Sequence, residues 1–283
     1  MKDSVEILYN LVCQTKRLIH LKGVCAFMTL LFCRNVSGQS NRITTFERIG
    51  WYNCFGTLAI SKQLGLHAEY QFRRDNYVLD WQQSLLRVGV NYAVNPRVLM
   101  RIGYSWVETF AYGEIPINGF GRDFTEHRIF QMVQLSHDEG LLDFTHRFML
   151  EQRFIGRYSN ANVAKEDEFP MSNRVRYQCR IQIPLKGKDI KEKTPYLAMY
   201  DELFIGFGKN VNANVFDQNR VGLLLGYKFN QKVRLEIGWI HQIVQFGRQI
   251  NAQNIFQFNS GLLANANFNI ERITTKKRQK NQL

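Results

Sequence analysis

The feature that most constrains this sequence is the alternation of apolar and polar side chains in segments of about ten residues. In His146–Phe154 (HRFMLEQRF), Arg147, Glu151 and Arg153 share one parity, while leucine and phenylalanine occupy the other. Because successive side chains of a β-strand point to opposite faces, a period of two predicts strands with one polar and one apolar face. The sequence after about Arg48 has almost no helical periodicity. We therefore predict an all-β fold.

Segments of this kind recur along the chain, and each is expected to pair with its sequence neighbour. Strands are predicted near 48–60, 64–73, 83–92, 98–107, 126–136, 142–154, 172–183, 195–207, 217–229, 233–245 and 255–270. The connections alternate between short ones at 61–63, 93–97, 137–141 and 230–232 and longer ones at 74–82, 108–125, 155–171 and 208–216, with the charged stretch 184–194 as a longer member of the short side. Short periplasmic turns alternating with long loops are typical of outer-membrane β-barrels.

This pattern predicts a closed, antiparallel, up-and-down transmembrane β-barrel. The segments number eleven, whereas a closed single-chain bacterial barrel has an even number of strands. We therefore expect ten or twelve strands, with the discrepancy either in Gln39–Tyr52, which could hold an extra crossing, or in 255–270, which could be partly loop.

Sorting the strands by parity separates an apolar set from a charged set. The apolar set includes Leu66, Val88, Ile102, Phe148 and Leu223. The charged set is predicted to form a network that lines the lumen, and it consists of Glu69, Arg73, Arg87, Arg101, Glu126, Arg128, Arg147, Glu151, Arg153, Arg174, Arg176, Arg180, Glu202, Arg220, Arg234 and Glu236. Glycines on the charged parity, such as Gly89, Gly222 and Gly226, are predicted to make room for arginine side chains inside a narrow barrel.

The beginning of the chain differs from the rest. Gly23–Cys33 (GVCAFMTLLFC) is an eleven-residue apolar run that follows basic residues, and it is too short to span a bilayer as a helix. Small residues before Gln39 suit signal peptidase. We expect a signal peptide at 1–38 cleaved before Gln39, a barrel at 39–270 and a basic tail at 271–283, with the protein in the outer membrane of a Gram-negative bacterium.

The formal net charge of +13 is consistent with nucleic acid, an anionic surface or an acidic ligand as partner. Nucleic acid is disfavoured, because the basic residues alternate with apolar ones instead of forming a continuous patch. The expected partners are membrane lipid, the outer-membrane assembly machinery and a small anionic solute. Scattered histidines and the two cysteines after residue 38, Cys54 and Cys179, predict no metal site, disulfide framework or cofactor.

Three classes of function remain open at this stage. The arginines of the charged set are compatible with a narrow anion-preferring pore, or with a sealed barrel whose interior is filled by ion pairs. A hydrolase acting on lipid or peptide could use His67, His127, His146, Ser105 or Ser136, although no local signature supports a catalytic triad. A soluble exported lipid-binding barrel would place the apolar set inside.

Several of these segments resemble an uncharacterised family of bacterial outer-membrane β-barrels, known only as domain of unknown function twenty-four-ninety. The similarity extends over roughly Trp51 to Gln245, and it is carried by LLRVGVNY, TEHRIFQ, THRFMLEQRF, NRVRYQ, a strand with Glu202, and DQNRVGLLLGY. The resemblance implies an outer-membrane barrel of unknown activity. It implies no catalytic residues.

Overall fold

The computed structural model describes residues 42–211 and 214–270, and these form a barrel of β-strands. The strands are β1 (Arg42–Ala59), β2 (Leu64–Asp75), β3 (Asp80–Asn95), β4 (Val98–Thr109), β5 (Phe124–Glu139), β6 (Leu142–Ile155), β7 (Met171–Pro184), β8 (Thr194–Phe207), β9 (Phe216–Lys228), β10 (Val233–Ile250) and β11 (Gln253–Ile270). Every predicted strand is present. The expected signal peptide at 1–38 and basic tail at 271–283 lie outside the described residues.

The barrel closes with eleven strands, so the expectation of ten or twelve is wrong. Consecutive strands are antiparallel, and an odd number of them brings the first and last strands together in the same direction. β1 and β11 accordingly pair in parallel, from Arg42 beside Asn254 to Leu58 beside Ile270. The residues 42–59 form one continuous strand, so the described part of Gln39–Tyr52 contains no extra crossing.

The connections divide between two rims. The short rim carries 60–63, 96–97, 140–141, 185–193 and 229–232, and the long-loop rim carries 76–79, 110–123, 156–170, 208–215 and 251–252. The predicted long connection 74–82 is shorter in the structure, because β2 and β3 continue to a four-residue loop at 76–79. β1 begins at the long-loop rim and β11 ends at the short rim.

The charged parity faces the barrel axis and the apolar parity faces outward. Arg87 is 3% exposed, whereas its neighbour Val88 is 44% exposed. Phe148 and Leu223 are likewise exposed at the outer surface. A soluble lipid-binding barrel requires the opposite arrangement, so that alternative is wrong for this structure.

Apolar side chains also fill part of the interior. A cluster that includes Ile49, Trp51, Tyr196, Leu224 and Leu263 packs inside the barrel on the side formed by β1 and β8–β11. The charged network therefore occupies the remaining part of the interior, mainly on β2–β9.

The interior glycines make room for more than arginines. A side chain at Gly89 would meet the stem of Arg101, as the sequence analysis predicts. At Gly222 and Gly226, however, a Cβ atom would collide with the rings of Tyr200 and Tyr196. The prediction that these glycines accommodate arginines is wrong at those two positions, because tyrosines on β8 cross over β9 there.

Among the described residues, no helix is long and apolar enough to cross a membrane.

Candidate functional site: the charged barrel interior

The structure places all sixteen predicted network residues on strands with inward parity. Eleven of them are buried, and the other five are half-buried, namely Arg101, Arg147, Arg153, Arg180 and Arg234.

Ion pairs converge inside the barrel. Glu151, which is fully buried, accepts hydrogen bonds from Arg174 Nη2 at 2.6 Å and from Arg176 Nη1 at 2.8 Å. Glu202 Oε1 accepts from Arg176 Nη2 at 2.7 Å. Arg87 pairs with Glu69, and its Nη2 lies 3.9 Å from Glu151 Oε1. We call the set Glu69, Arg87, Glu151, Arg174, Arg176, Glu202 and Asp217 the waist network.

Several of these contacts join strands that are not neighbours. Arg174 on β7 bonds to Asp217 on β9 at 2.5 Å, past the intervening strand β8. Arg180 on β7 bonds to Glu236 on β10 at 2.6 Å. Bonds between non-neighbouring strands must run through the interior. The side chains of the waist network therefore reach across the lumen.

Asp217 is an interior residue that the parity rule missed. The register between β8 and β9 shifts between Phe204 and Ile205, where Phe204 is opposite Gln218 and Ile205 is opposite Phe216. This β-bulge turns Asp217 into the barrel beside Gln218, which has the same parity as Arg220, and both are buried. A bulge cannot be located from alternation alone, because alternation assumes an unbroken ladder.

Three of the predicted arginines form no ion pair with any described residue. Arg101 Nε donates to Asn91 Oδ1 at 2.6 Å. Arg73 donates to Gln71 and Gln83, and Arg220 Nε donates to Gln218 Oε1 at 2.9 Å. The hydrogen-bond partners of these guanidinium groups are thus neutral amides.

A cavity of about 450 Å³ lies inside the barrel between the waist network and the long-loop rim. Its wall includes Arg73 and Arg220, whereas Arg101 lies outside it. Amide side chains contribute Gln82, Gln83, Gln218, Gln242 and Gln245 to the lining, and aromatic rings contribute Trp51, Tyr112 and Phe246. The cavity is therefore polar, and its described lining has seven arginines against two carboxylates, Glu126 and Asp217.

The loop 110–123, which we call the lid loop, crosses the mouth of this cavity. It starts at the end of β4 but is fastened to the far side of the barrel. Arg248 Nη2 on β10 donates to Pro116 O at 2.6 Å, and its Nε donates to Ile117 O at 3.2 Å. On the other side, Arg122 Nη2 donates to Ala161 O of loop 156–170 at 2.8 Å. These bonds hold the lid loop over the opening.

Tyr112 anchors the lid loop from within. Its hydroxyl donates to Gln257 Oε1 on β11 at 2.6 Å, and the side chain is buried. Burial raises the pKa of Tyr112 to about 12, because an ionised phenol would lose its hydration. The hydroxyl is therefore protonated up to a higher pH than that of an exposed tyrosine, and it can donate this hydrogen bond over that range.

The residues named for a hydrolase are not assembled. Ser105 accepts from Arg87 Nε at 3.0 Å, and His146 contacts Tyr177 on the outer face. Ser136 lies near the end of β5, where alternation points its side chain to the opposite face from that of His137. A serine–histidine contact that the sequence analysis missed joins Ser260 Oγ and His241 Nδ1 at 2.7 Å, on the parity of the outer face.

No group of three or more His, Cys, Asp or Glu side chains that could hold a metal ion occurs within residues 42–211 and 214–270. Cys54 and Cys179 are free thiols.

Comparison with known proteins gives one family match. Residues 49–254 match the family model described as Protein of unknown function (DUF2490). No curated protein sequence matches the chain. Among solved structures, it is similar to the NanC porin in a rhombohedral crystal form, with 12% sequence identity and a TM-score of 0.43, over 78% of this chain and 97% of that chain. Because the family model covers most of the chain, this protein belongs to the DUF2490 family.

Proposed function

We propose that this protein is an integral β-barrel of the outer membrane of a Gram-negative bacterium, closed at its waist and open to small anions from the long-loop side. Membrane lipid and the outer-membrane assembly machinery are its expected partners. The observation that supports the proposal most strongly is the exposure pattern, in which apolar side chains such as Val88 face outward while Arg87 is buried. In water, such a surface would be a large exposed apolar area that monomeric soluble proteins avoid.

Polar side chains on the outer face support a lipid environment, because they bond to one another. Gln131 and Gln152 exchange two hydrogen bonds of 3.2 Å between their amides. The hydroxyl of Tyr104 contacts His127 Nδ1 at 2.6 Å. Acyl chains offer no hydrogen-bond partners, so polar groups that face them need partners within the protein.

The energetic cost of turning the charged face toward lipid also favours this proposal. One arginine that faces lipid at the bilayer midplane costs about 2–4 kcal/mol. A register slip by one residue would expose the arginines of an entire strand. The eleven arginines of the network thus make the observed orientation the stable one in a bilayer.

The waist network favours a closed lumen over a continuous pore. Glu151 is 0% exposed and Arg174 is 2% exposed, so water does not reach the centre of the network. A conducting pore would leave these side chains hydrated. Access from the long-loop rim therefore ends at the cavity of about 450 Å³.

Cell fractionation and conductance test the two halves of the proposal. After expression of the full chain in a Gram-negative host, the protein should fractionate with the outer membrane and require detergent for extraction. Recovery in the soluble periplasmic fraction would contradict the membrane assignment. In planar bilayers, both the wild type and the Arg147→Ala/Arg153→Ala variant should be silent, because neither substitution removes a member of the waist network.

The conductance measurement also tests whether the barrel is instead a narrow anion-preferring pore. That candidate draws on the excess of interior arginines over interior carboxylates, which would attract anions into a channel. Steady, anion-selective current through the wild-type protein, reduced in Arg147→Ala/Arg153→Ala, would replace the closed barrel with this pore.

An outer-membrane hydrolase is the remaining candidate, and the contact between Ser260 and His241 supports it. A serine that donates its proton to histidine is the starting arrangement of nucleophilic catalysis. Release of p-nitrophenol from a long-chain ester by the refolded protein, abolished in Ser260→Ala, would support this activity. Equal rates in the two proteins would exclude Ser260 as the nucleophile.

A further inference from the structure

Two guanidinium groups in the cavity are buried without a neutralising carboxylate. Arg73 is 6% exposed and Arg220 is 9% exposed, and neither forms an ion pair with a described residue. Glu202 is opposite Arg220 in the β8–β9 ladder, but its Oε1 accepts instead from Arg147 at 2.8 Å and from Arg176. The carboxylate opposite Arg220 in this ladder is thus already engaged by other arginines.

Both guanidinium groups lie against the same indole ring. The Cζ atom of Arg73 is 3.9 Å from the centre of the Trp51 ring, and that of Arg220 is 4.8 Å from it. Trp51 is itself fixed, because its Nε1 donates to Gln82 Oε1 at 2.6 Å. The two arginines are therefore held in place by stacking on a ring that cannot rotate freely.

Hydrogen bonds within the barrel leave some N–H donors of these two guanidinium groups unused. Arg220 bonds through Nε to Gln218, and the described residues supply no hydrogen bond to its two Nη atoms. Both arginines belong to the cavity wall, so groups in the cavity can reach them. A guanidinium presents paired donors that match the two oxygens of a carboxylate or phosphate.

Uncompensated buried cations are unfavourable, and replacing them with neutral residues would stabilise most proteins. A ligand of opposite charge removes this penalty. The surrounding lining of Gln82, Gln242 and Gln245 offers amides that hydrogen-bond to polar substituents of such a ligand. We propose that the cavity binds a small organic oxyanion, a carboxylate or a phosphate, with Arg73 and Arg220 as its counter-ions. This inference deepens the proposed function by naming the class of ligand. It rests on the proposed function only in taking the ligand to enter the cavity from the long-loop side.

Calorimetric titration of the full chain, refolded in detergent, tests the proposal with inorganic phosphate and acetate as probes at constant ionic strength. The wild type should bind at least one of the two anions saturably. The Kd should rise at least tenfold in Arg73→Gln and in Arg220→Gln. Arg101→Gln is the matched control, because Arg101 is also a luminal arginine that forms no ion pair with a described residue but lies outside the cavity.

A second readout guards against variants that fail to fold. Without added anion, Arg220→Met should melt at a higher temperature than the wild type, because it removes an uncompensated buried charge. Saturating anion should raise the melting temperature of the wild type but leave that of Arg220→Met unchanged. This measurement compares stabilities directly, and circular dichroism confirms the strand content of each variant.

The site does not exist as proposed if the wild type binds neither anion, or if Arg101→Gln weakens binding as much as Arg220→Gln does. Both assays use detergent-solubilised protein, so they remain informative if fractionation or conductance contradicts the proposed function. A barrel that fractionates with the outer membrane and binds no anion would refute this inference alone.

Discussion

Arg174 and Asp217 are bonded at 2.5 Å although a complete strand, β8, lies between β7 and β9 in the barrel wall. Arg174 also donates to Glu151 on β6, on its other side. One side chain thereby connects three strands through the interior. Such contacts make the lumen a packed region, in which each charge depends on partners from several strands.

Glu151→Gln should strongly destabilise the barrel. This carboxylate is fully buried and is shared by Arg174 and Arg176, so its loss removes one of the two carboxylate partners of each arginine. Breaking a buried ion pair in this way costs about 3–5 kcal/mol. Urea titration of the protein refolded into liposomes measures the change in the free energy of unfolding.

Asp189→Asn is the control for this substitution. Asp189 pairs with Lys191 at the short rim, where both side chains are more than half exposed. Its loss should change stability by less than about 1 kcal/mol. Equal effects of the two substitutions would contradict a closely packed charged interior.

Gly222→Ala should destabilise the barrel by about 1–3 kcal/mol, because a new Cβ atom would overlap the ring of Tyr200. Gly247→Ala on β10 is the matched control, since open space surrounds that position. Urea titration in liposomes compares the free energies of unfolding of the two variants. Equal stability of the two variants would show that Tyr200 does not cross over Gly222.

Arg248→Ala should loosen the lid loop. It removes the hydrogen bonds to Pro116 O and Ile117 O, each worth about 1.5–3 kcal/mol when the donor is charged. Trypsin can cut this loop after Arg122, and cleavage follows the fraction of open loop, so the rate should rise roughly tenfold or more. Arg97→Ala, at the opposite rim, should leave the rate unchanged. An unchanged rate in Arg248→Ala would mean that other contacts hold the lid loop.

Much of the fold could be predicted from the sequence, because a period of two places each side chain on a face. The strands and the two faces followed from that rule, as Arg87 and Val88 illustrate. The lengths of the segments between strands predicted the connections, of which 74–82 is shorter in the structure. The strand count was wrong because the even-number rule assumes antiparallel closure. Here Arg42 and Asn254 instead start a parallel pair between β1 and β11.

The charged site could be predicted only in part. Its arginines and glutamates were identified by parity, but Asp217 was not, because the bulge beside Phe204 reverses the parity at that point. Contacts across the lumen, such as Arg180 with Glu236, depend on closure and on side-chain length, which alternation does not encode. The same limit applies to the tyrosines that cross over Gly222 and Gly226.

The most direct test of the central claim uses two tryptophans on opposite faces of the barrel wall. Trp239 is 44% exposed on the outer face, whereas Trp51 is 3% exposed inside. Proteins that retain one of these residues, with phenylalanine at the other tryptophan positions, are refolded into liposomes whose acyl chains carry bromine. The account predicts strong quenching of Trp239 fluorescence and little quenching of Trp51. Equal quenching of both, or quenching of Trp51 alone, would contradict an apolar exterior in lipid around a charged interior.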